Sequence, residues 1–352
     1  MKIIILCSNI IPSGGTERAI YNLTNLLVKD SRYNISIISA CSGNTDIPYF
    51  EFKNVNIYHL ELPELQINFF NKLNWYRVAQ KRLRKKIKEL GPDLILGYGH
   101  NMNIMLPFIV KREKIYGCEH INYDTIPYSS KLIMKLIYPF LNGIVVLSKT
   151  AQKNYCRLNQ NTYVIPNAVS FTQNLPSSLL RKRMIMIGRL SEEKGYERLV
   201  PIAQEIKSQV LDWKIDIYGD GPLKGKLKKI FEQEDLSDLI TLKGNTTDIQ
   251  KELNESSFLL MTSYTEALPM AIIEAKTCGV PAIAYECEGT KELITDSVDG
   301  FLVKSSKEFS TKIKLLINDR ALLLAMGLNA YISADKYSES NIKEYWDRLF
   351  SI

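Results

Sequence analysis

The sequence predicts an α/β protein with two doubly wound domains. Short apolar runs rich in β-branched residues alternate with longer helical patterns from end to end, and the alternation restarts after residue 180. Continuous apolar strands separated by helices are typical of parallel sheets covered on both faces. Two such successions, in a chain whose 352 residues suffice for about two domains, predict two separate sheets.

The first domain begins with a strand at 2–7. This apolar run is short and Pro12 follows it, which favours a first strand over a signal peptide. A helix follows the glycine pair at 14–15, because Ile20, Leu23 and Leu27 recur on one helical face. Further strands are predicted at 35–40, 55–60, 93–96, 114–118, 143–147 and 162–165.

The second succession has strands at 184–187, 214–218, 239–242, 258–261, 281–285 and 301–303. Residues 269–276 are predicted as a helix with Pro269 in its first turn, where its missing N–H costs nothing. The weakly periodic stretch 170–182 predicts a linker. The predicted division is therefore a first domain at 1–169, a linker at 170–182, a second domain at 183–335 and a terminal helix at 336–352. Trp346, Leu349 and Phe350 give that helix an apolar face, and the first domain is a candidate surface for it.

The composition is that of an ordinary globular protein, with a net charge of +7 that could serve phosphate groups, an anionic membrane or nucleic acid. No nucleic-acid motif supports the last of these. The six cysteines form no C-x-x-C and have no histidine cluster beside them, so a disulfide frame or a zinc site is not expected. No stretch approaches the roughly 20 apolar residues of a membrane span, and the expected compartment is the cytoplasm.

A basic loop follows the first strand of the second domain. Gly188 and Arg189 open it, and Lys194 lies five positions after Arg189. Strand ends in an open parallel sheet face the ligand crevice, and an arginine fork with a lysine point charge can hold one diphosphate. An exposed basic loop with no ligand explains the same residues. Gly221 belongs to the next strand-end loop, which a plain turn would also explain.

The strongest local signal follows the predicted strand at 258–261. Glu266 precedes the predicted helix and Glu274 lies within it, so the two carboxylates are more than one helical turn apart. A helix start favours phosphate or sugar oxygens. Beside it, one carboxylate can bind sugar hydroxyls in the crevice, and the other can bind ribose hydroxyls. Two alternatives stay open: Glu266 as an acid stabilised by the helix dipole, and Glu274 on a solvated helix face.

The order G-R-L-x-x-x-K-G, then G-D-G-P, then E-x7-E resembles glycosyltransferase family 4, the large retaining GT-B family, and the resemblance covers nearly the whole chain. It implies two Rossmann-like domains facing a central cleft. It also implies that Arg189 and Lys194 hold the donor diphosphate, that Glu266 contacts the donor sugar and that Glu274 binds the ribose. His120 matches the first-domain histidine near the reacting sugar, although a structural histidine at the sheet rim is the alternative. The other residues that the resemblance assigns to donor binding are Gly15, Gly188, Gly221, Gly244, Asn245, Ala267, Leu268, Pro269 and Met270.

One departure from the family pattern concerns the site. Ala267 stands where the family usually has Gly, and its methyl group could narrow the choice of donor. No Asp-x-Asp triplet occurs, so the chain offers no obvious ligands for a divalent cation bridging the diphosphate. We therefore expect no cofactor and no metal, with two protein cations in the metal's place.

Residues 69–90 combine an aromatic lead-in with a basic helix. Such a helix can lie on an anionic membrane, which would suit a polyprenyl-diphosphate-linked acceptor on the cytoplasmic face of an inner membrane. A solvated helix face is the alternative. The apolar segment around Leu132, Leu136 and Phe140 could add a patch, or it could form a buried helix.

The expected activity is transfer of a hexose or N-acetylhexosamine from a nucleotide sugar, UDP more than GDP, to a saccharide acceptor with retained anomeric configuration. A bacterial surface polysaccharide such as lipopolysaccharide or capsule is the expected pathway. The alternatives are a nucleotide-sugar epimerase or hydrolase on the same scaffold, and a non-catalytic sugar-binding subunit of a glycosylation complex.

Overall fold

The structure is a computed structural model that describes residues 1–12, 14–63, 69–110, 112–210 and 212–351, without the side chains of 69–73. It divides into two compact units. The first comprises Met1–Ser170 together with Ile342–Ile352, and the second comprises Phe171–Asn341.

The first unit is built on a parallel sheet. Its described strands are β1 (Lys2–Cys7), β2 (Asn34–Ser39), β3 (Asn56–His59), β4 (Leu94–Tyr98), β5 (Lys114–Glu119), β6 (Gly143–Val146) and β7 (Thr162–Val164), in the order β3-β2-β1-β4-β5-β6-β7. The helices are α1 (Gly15–Leu27), α2 (Phe69–Leu90), α3 (His100–Asn103), α4 (Leu106–Ile109), α5 (Tyr128–Ile137) and α6 (Lys149–Tyr155). The strand order reverses beside β1, so β1 and β4 flank the switch point.

The two faces of this sheet carry separate cores, as strand alternation requires. Ile4 and Leu6 of β1 pack in the core that also receives α2, α4 and α5. Ile3 and Ile5 point to the opposite face, where α1 packs. The sheet is therefore covered on both faces, as the continuous apolar strands predict.

The second unit repeats this architecture. Its described strands are β8 (Arg183–Ile187), β9 (Lys214–Tyr218), β10 (Ile240–Gly244), β11 (Phe258–Met261), β12 (Ala282–Tyr285) and β13 (Gly300–Val303), all parallel in the order β10-β9-β8-β11-β12-β13. The helices are α7 (Leu199–Ile206), α8 (Lys224–Gln233), α9 (Ile249–Asn254), α10 (Met270–Thr277), α11 (Glu288–Leu293), α12 (Ser306–Asn318) and α13 (Arg320–Ser333). Here the switch point lies between β8 and β11.

The segment 170–182, which was predicted as a linker, packs on the second unit. The Gln173 side chain donates to Asn254 Oδ1 at 2.7 Å, and the Ser177 N–H donates to the Cys278 carbonyl at 2.8 Å. Leu179 is buried. The second compact unit accordingly begins at Phe171, and the predicted linker is part of it, because its residues bond and pack against elements later in the chain.

The terminal helix α14 spans Glu339–Ser351 and contributes its apolar face to the core of the first unit. Trp346 and Leu349 pack there beside the strands. Asp347 accepts hydrogen bonds from Tyr33 at 2.7 Å and Arg32 at 2.9 Å. Chain ends that are distant in sequence are thereby held together.

Among the described residues, no helix alone has the length and apolar character to cross a membrane. One pair bent by 103°, Ser306–Asn318 with Arg320–Ser351, meets that test on length and composition only when taken together.

Candidate functional site

The candidate site lies at the carboxyl ends of β8 and β11, which are neighbours in the second sheet. These are the strands that flank the switch point, where open α/β sheets bind their ligands. The loop 188–195 follows β8 and the loop 262–269 follows β11. The sequence predicted both loops as site elements, but only the sheet order makes them adjacent.

The first loop is held by close backbone packing at glycines. Gly219 has φ +138, and a Cβ on it would lie 2.0 Å from the Gly188 carbonyl oxygen. A Cβ on Gly221 would lie 2.5 Å from the Leu190 carbonyl oxygen. The glycines of the G-D-G-P motif thus bring the loop after β9 against the loop after β8, which places Gly221 behind the basic loop. Whether Gly221 also touches the donor stays a prediction.

Lys194 and Glu266 meet although 72 positions separate them. The Lys194 ammonium contacts Glu266 Oε1 at 2.6 Å, and the Ser263 hydroxyl donates to the same oxygen at 2.7 Å. The two side chains are 25% and 10% exposed, respectively. Because an ammonium group has three donors, Lys194 can serve this carboxylate and a phosphate oxygen together. Ser263 is a site residue to which the sequence analysis gave no role, although it lies just after the end of β11.

The backbone around this pair is tied down at both loops. Gly195 is left-handed, with φ +58, and a Cβ there would lie 2.6 Å from the Thr262 carbonyl oxygen. The Thr262 hydroxyl donates to the Lys194 carbonyl at 3.0 Å, and the Tyr196 hydroxyl donates to the Gly188 carbonyl at 2.9 Å. Lys194 is therefore placed by its own loop and by its neighbour.

Arg189 is exposed at the start of the basic loop, and its charge reaches the carboxylate of Glu193. Burial acts to raise the pKa of Glu193. The Ser191 hydrogen bond, a backbone hydrogen bond and the charges of Lys194 and Arg189 outweigh that effect and lower the pKa. The charges of both predicted diphosphate ligands, Arg189 and Lys194, thus reach the same carboxylate. Glu193 is an acid at the site that the sequence analysis did not single out, and it partly balances their charge.

The helix α10 begins at Met270, with Pro269 as its N-cap residue and not inside its first turn. Pro269 differs from the prediction because its ψ of 110 is extended. Glu274 is fully buried at 0% exposure, which rules out the solvated helix face. Burial, with the nearby charge of Glu274 second, raises the pKa of Cys278 to about 12. Burying a carboxylate in this interior costs free energy of folding. Such a cost is typical of residues at functional sites, which favours a binding role for Glu274.

The segment that joins Glu266 to α10 packs against α11. The Gly289 N–H donates to the Glu266 carbonyl at 3.1 Å, and a Cβ on Gly289 would lie 2.6 Å from that oxygen. Ala267 and Met270 are half-buried, whereas Leu268 and Pro269 are buried. Ala267 is therefore partly accessible, and an effect of its methyl group on donor choice stays a prediction.

Gly244 and Asn245 lie at the carboxyl end of β10, two strands away from β8. Gly244 has φ +77, and its carbonyl accepts a hydrogen bond from the Gly219 N–H at 2.8 Å. Asn245 is exposed. These residues belong to the same sheet edge as the basic loop, and their contact with a nucleobase stays a prediction.

Gly15 and His120 belong to the first unit. Gly15 is the exposed first residue of α1, and His120 follows β5. The His120 ring stacks on Tyr98 with centroids 4.9 Å apart. Its half-buried position desolvates the ring and lowers its pKa to about 4, so the imidazole is neutral at pH 7.

Glu119, which precedes His120, is a buried acid that the sequence analysis did not single out. It accepts hydrogen bonds from Asn103 at 2.7 Å, from the Tyr138 hydroxyl and from Tyr155 at 3.3 Å. Burial raises the pKa of Glu119 to about 7 against the opposing effect of these donors. The network fixes the end of β5, immediately before His120.

A separate cavity of about 430 Å³ adjoins the basic loop. Its wall contains Glu192, Glu193, Glu197, Leu223, Lys226 and Tyr264. Three glutamates make this lining unsuited to a diphosphate, so it does not replace the Lys194 and Glu266 site. Within the described part of the chain, no group of three or more His, Cys, Asp or Glu side chains could hold a metal ion.

Two family models match the chain. The model for Glycosyltransferase Family 4 matches residues 13–173, and the model for Glycosyl transferases group 1 matches residues 171–333. Among curated relatives, the amylovoran biosynthesis glycosyltransferase AmsD of Erwinia amylovora is 27% identical, with 99% of each chain covered. An alpha-1,4-N-acetyl-D-galactosaminyltransferase of Campylobacter jejuni is 26% identical over 96% of this chain and 95% of its own.

Solved structures match the fold over the whole chain. Sucrose-phosphate synthase from Thermosynechococcus elongatus superposes with a TM-score of 0.83 at 16% identity, covering 100% of this chain and 98% of its own. A TarM variant of S. aureus superposes with a TM-score of 0.80 at 18% identity, covering 100% of each chain.

The two parallel-sheet Rossmann-like domains are the GT-B fold, which these solved structures share. Since the two family models together span residues 13–333 and the relatives match nearly from end to end, the chain is a glycosyltransferase of the family 4 type. The relatives include glycosyltransferases of bacterial surface polysaccharides.

Proposed function

We propose that this glycosyltransferase moves a hexose or N-acetylhexosamine from a UDP-sugar to a lipid-linked saccharide, with retained anomeric configuration and without a metal ion. The Lys194–Glu266 contact is the observation that carries the proposal. In this proposal Lys194 is the cation for the donor diphosphate, and Glu266 beside it is the carboxylate for the donor sugar.

Lys194 and Arg189 supply the charge that a departing diphosphate needs. Lysine acts as a point charge and arginine as a planar fork, and both form charge-assisted hydrogen bonds to phosphate oxygens. A fixed cation at a site of developing negative charge is a large source of catalysis. Because the protein provides two cations here, a divalent metal is not required to neutralise the diphosphate.

Glu266 and Glu274 hold the rest of the donor in this proposal. Glu266, fixed by Ser263 and Lys194, accepts hydrogen bonds from sugar hydroxyls. Glu274 accepts from the ribose hydroxyls, which supplies a use for a fully buried carboxylate. The start of α10 presents backbone N–H groups to phosphate or sugar oxygens.

The reaction breaks the bond between sugar C1 and the diphosphate oxygen, and it forms a bond between C1 and the acceptor oxygen on the same face. The acceptor proton passes to the departing diphosphate oxygen, so no separate protein base is needed. Lys194 and Arg189 stabilise the diphosphate throughout. The result is a sugar with its original anomeric configuration.

The relatives support the choice of substrates. The Campylobacter relative's name gives an undecaprenol-linked acceptor and an α-linkage. A Staphylococcus aureus relative, 29% identical over 68% of this chain, is a poly(ribitol-phosphate) alpha-N-acetylglucosaminyltransferase. Structures of similar fold contain UDP or UDP-glucose. By extension from these relatives, the proposed donor of the present chain is a UDP-sugar. The proposed acceptor is carried by a membrane at its cytoplasmic face.

Transfer from a panel of labelled UDP-, GDP-, ADP- and TDP-sugars tests the proposal. Lys194→Ala and Glu266→Gln should each reduce transfer at least about a hundredfold, since each removes a charged contact to the donor. Lys228→Ala is the matched control, because Lys228 is 72% exposed on α8, and it should keep full activity. Normal transfer by either site variant contradicts the assignment of the site.

The stereochemistry and the metal requirement are measured on the same product. NMR of the new linkage should show the anomeric configuration of the donor, and inversion contradicts the proposed reaction. EDTA should leave the rate unchanged, and loss of the rate with recovery on adding Mg²⁺ or Mn²⁺ contradicts metal independence.

A further inference from the structure

The first unit exposes an apolar stripe that its own core does not use. Tyr128, Leu132, Leu136 and Phe140 recur every fourth residue along α5 and the 3-10 turn after it, and they are 76%, 49%, 71% and 69% exposed. We refer to these four side chains as the α5 stripe. The opposite side of the helix is anchored, because Met134 and Tyr138 are fully buried. The sequence predicted this segment as either an exposed apolar patch or a buried helix. The helix in fact has an exposed apolar side and a buried side.

The face of the first unit that carries the α5 stripe also carries many basic residues. The helix itself carries Lys131 and Lys135 and no acidic residue. The helices α2, α4 and α5 cover the same face of the sheet, since buried residues of all three belong to one core. On α2, the side chains that are exposed and basic are Arg77, Lys81, Arg82, Arg84, Lys85 and Lys88. The outer surface of this face therefore combines cations with exposed apolar groups.

A contact joins the basic helix α2 to α4 on this face. Arg84 of α2 donates from Nε to the Phe108 carbonyl of α4 at 2.8 Å, and Phe108 is itself 45% exposed. The basic side of α2 and the exposed Phe108 of α4 consequently meet at one surface. Exposed apolar groups beside an excess of lysine and arginine are the features of a protein surface that lies on anionic lipid.

We propose that the α5 stripe, with the basic outer face of α2, docks this enzyme on an anionic lipid bilayer. The side chains of the stripe enter the boundary between headgroups and acyl chains, and the cations pair with lipid phosphates. Tyr128 is at one end of the stripe, and tyrosine favours the headgroup level. This docking is separate from the transfer reaction, because contact of the surface with lipid needs neither donor nor acceptor.

A second copy of the chain fits this surface less well than lipid does. A two-fold contact through the α5 stripe would bring each copy's Lys131 and Lys135 toward the same lysines of the other copy. Like charges at an interface oppose association, whereas anionic headgroups complement them. Charge therefore selects lipid as the occupant.

The second unit supplies a matched control. Leu324, Leu328 and Ile332 form a similar stripe on α13, with exposures of 44%, 49% and 63%. The only charged residue on α13 is Arg320, which donates to the Ser178 and Leu179 carbonyls. This α13 stripe has similar apolar exposure on a helix that carries no lysine, so it should support binding to anionic lipid much less well than the α5 stripe.

Co-sedimentation of the full chain with vesicles tests the proposal. Vesicles of phosphatidylglycerol and phosphatidylcholine in equal parts should bind the wild type, and vesicles of phosphatidylcholine alone should bind it much more weakly. Leu132→Ser with Leu136→Ser should weaken binding to the anionic vesicles roughly tenfold or more, because two exposed apolar side chains no longer enter the interface. Leu324→Ser with Leu328→Ser should bind as the wild type does.

Thermal unfolding of both double variants shows whether they are folded. Lys135→Glu provides an independent reading, since Lys135 is an exposed residue of the helix, and it should weaken binding about tenfold. Three results overturn the proposal: no binding of the wild type to anionic vesicles, full binding by the folded α5 variant, or equal loss with the α13 variant. A wild-type dimer that the α5 substitutions dissociate, without any vesicle binding, assigns the surface to a second copy instead. Because no sugar is present, failure here leaves the transfer assay unaffected.

Discussion

Gly219→Ala tests whether close packing between two loops sets the position of the basic loop. Gly219 has φ +138, a conformation that L-residues rarely adopt, and its new Cβ would lie 2.0 Å from the Gly188 carbonyl oxygen. Real Cβ contacts are essentially never under 3.0 Å. The atom in the way belongs to the backbone, so the loop carrying Gly188 and Arg189 must retreat by about 1 Å.

That displacement has a calculable consequence for the reaction. A shift of about 1 Å in a positioning group can cost about a hundredfold in rate, and the strained backbone costs about 1–3 kcal/mol in stability. We therefore expect Gly219→Ala to fold, to unfold at lower denaturant concentration and to lose about a hundredfold in kcat/KM. Steady-state transfer kinetics and urea unfolding measure the two effects.

Gly225→Ala is the control for this substitution. Gly225 lies in the first turn of α8, and a Cβ there meets nothing within 4 Å. Replacing a helical glycine by alanine should raise the free energy of unfolding by about 0.5 kcal/mol and leave the kinetics unchanged. Wild-type kcat/KM for Gly219→Ala refutes the reasoning, because the loop would then tolerate a shift that the geometry says must occur.

Two further predictions concern buried charges. Lys276 and Asp299 form an ion pair at 2.8 Å, with the side chains 1% and 4% exposed. Lys276→Met should lower the free energy of unfolding by about 3–5 kcal/mol, because it leaves a buried carboxylate without its partner. Adding Asp299→Asn to that variant should recover part of the lost stability. Urea unfolding measures both effects, and an unchanged midpoint for Lys276→Met contradicts the prediction. Burial holds the folded pKa of Glu119 at about 7 against an ordinary value of 4.5, so its protonated form stabilises the fold below pH 4.5 and that stabilisation is lost as the pH rises through 7. The loss in the free energy of unfolding between pH 4.5 and pH 7 is about 3 kcal/mol. Glu119→Gln should remove this pH dependence of the unfolding free energy. The same pH dependence in the variant would mean that another group titrates.

The strands could be predicted from the sequence because parallel strands buried on both faces are continuous apolar runs. The predicted strand at 2–7 coincides with β1, and that at 258–261 coincides with β11. Their order in the sheet could not be predicted, since nothing local in an apolar run specifies its neighbour. The adjacency of β8 and β11, which creates the site, is therefore visible only in the folded chain.

The site was predictable as a set of residues but not as a set of contacts. The motifs identify Lys194 and Glu266, yet their separation by 72 positions conceals the 2.6 Å contact between them. Ser263 and Glu193 lacked a signal because serine and glutamate in a loop are ordinary. Glu119 lies at the end of an apolar strand, and its burial depends on Tyr138 and Tyr155, which reach it from elements later in the chain.

Titration calorimetry with UDP and with a UDP-sugar tests the central claim most directly, because it separates the diphosphate contact from the sugar contact. Lys194→Ala should weaken the binding of both ligands about tenfold to a hundredfold, since it removes a charged hydrogen bond to phosphate. Glu266→Gln should bind UDP as the wild type does and should lose the additional affinity of the UDP-sugar. Equal affinity of the wild type and Lys194→Ala for UDP contradicts the account, because the diphosphate would then lie elsewhere.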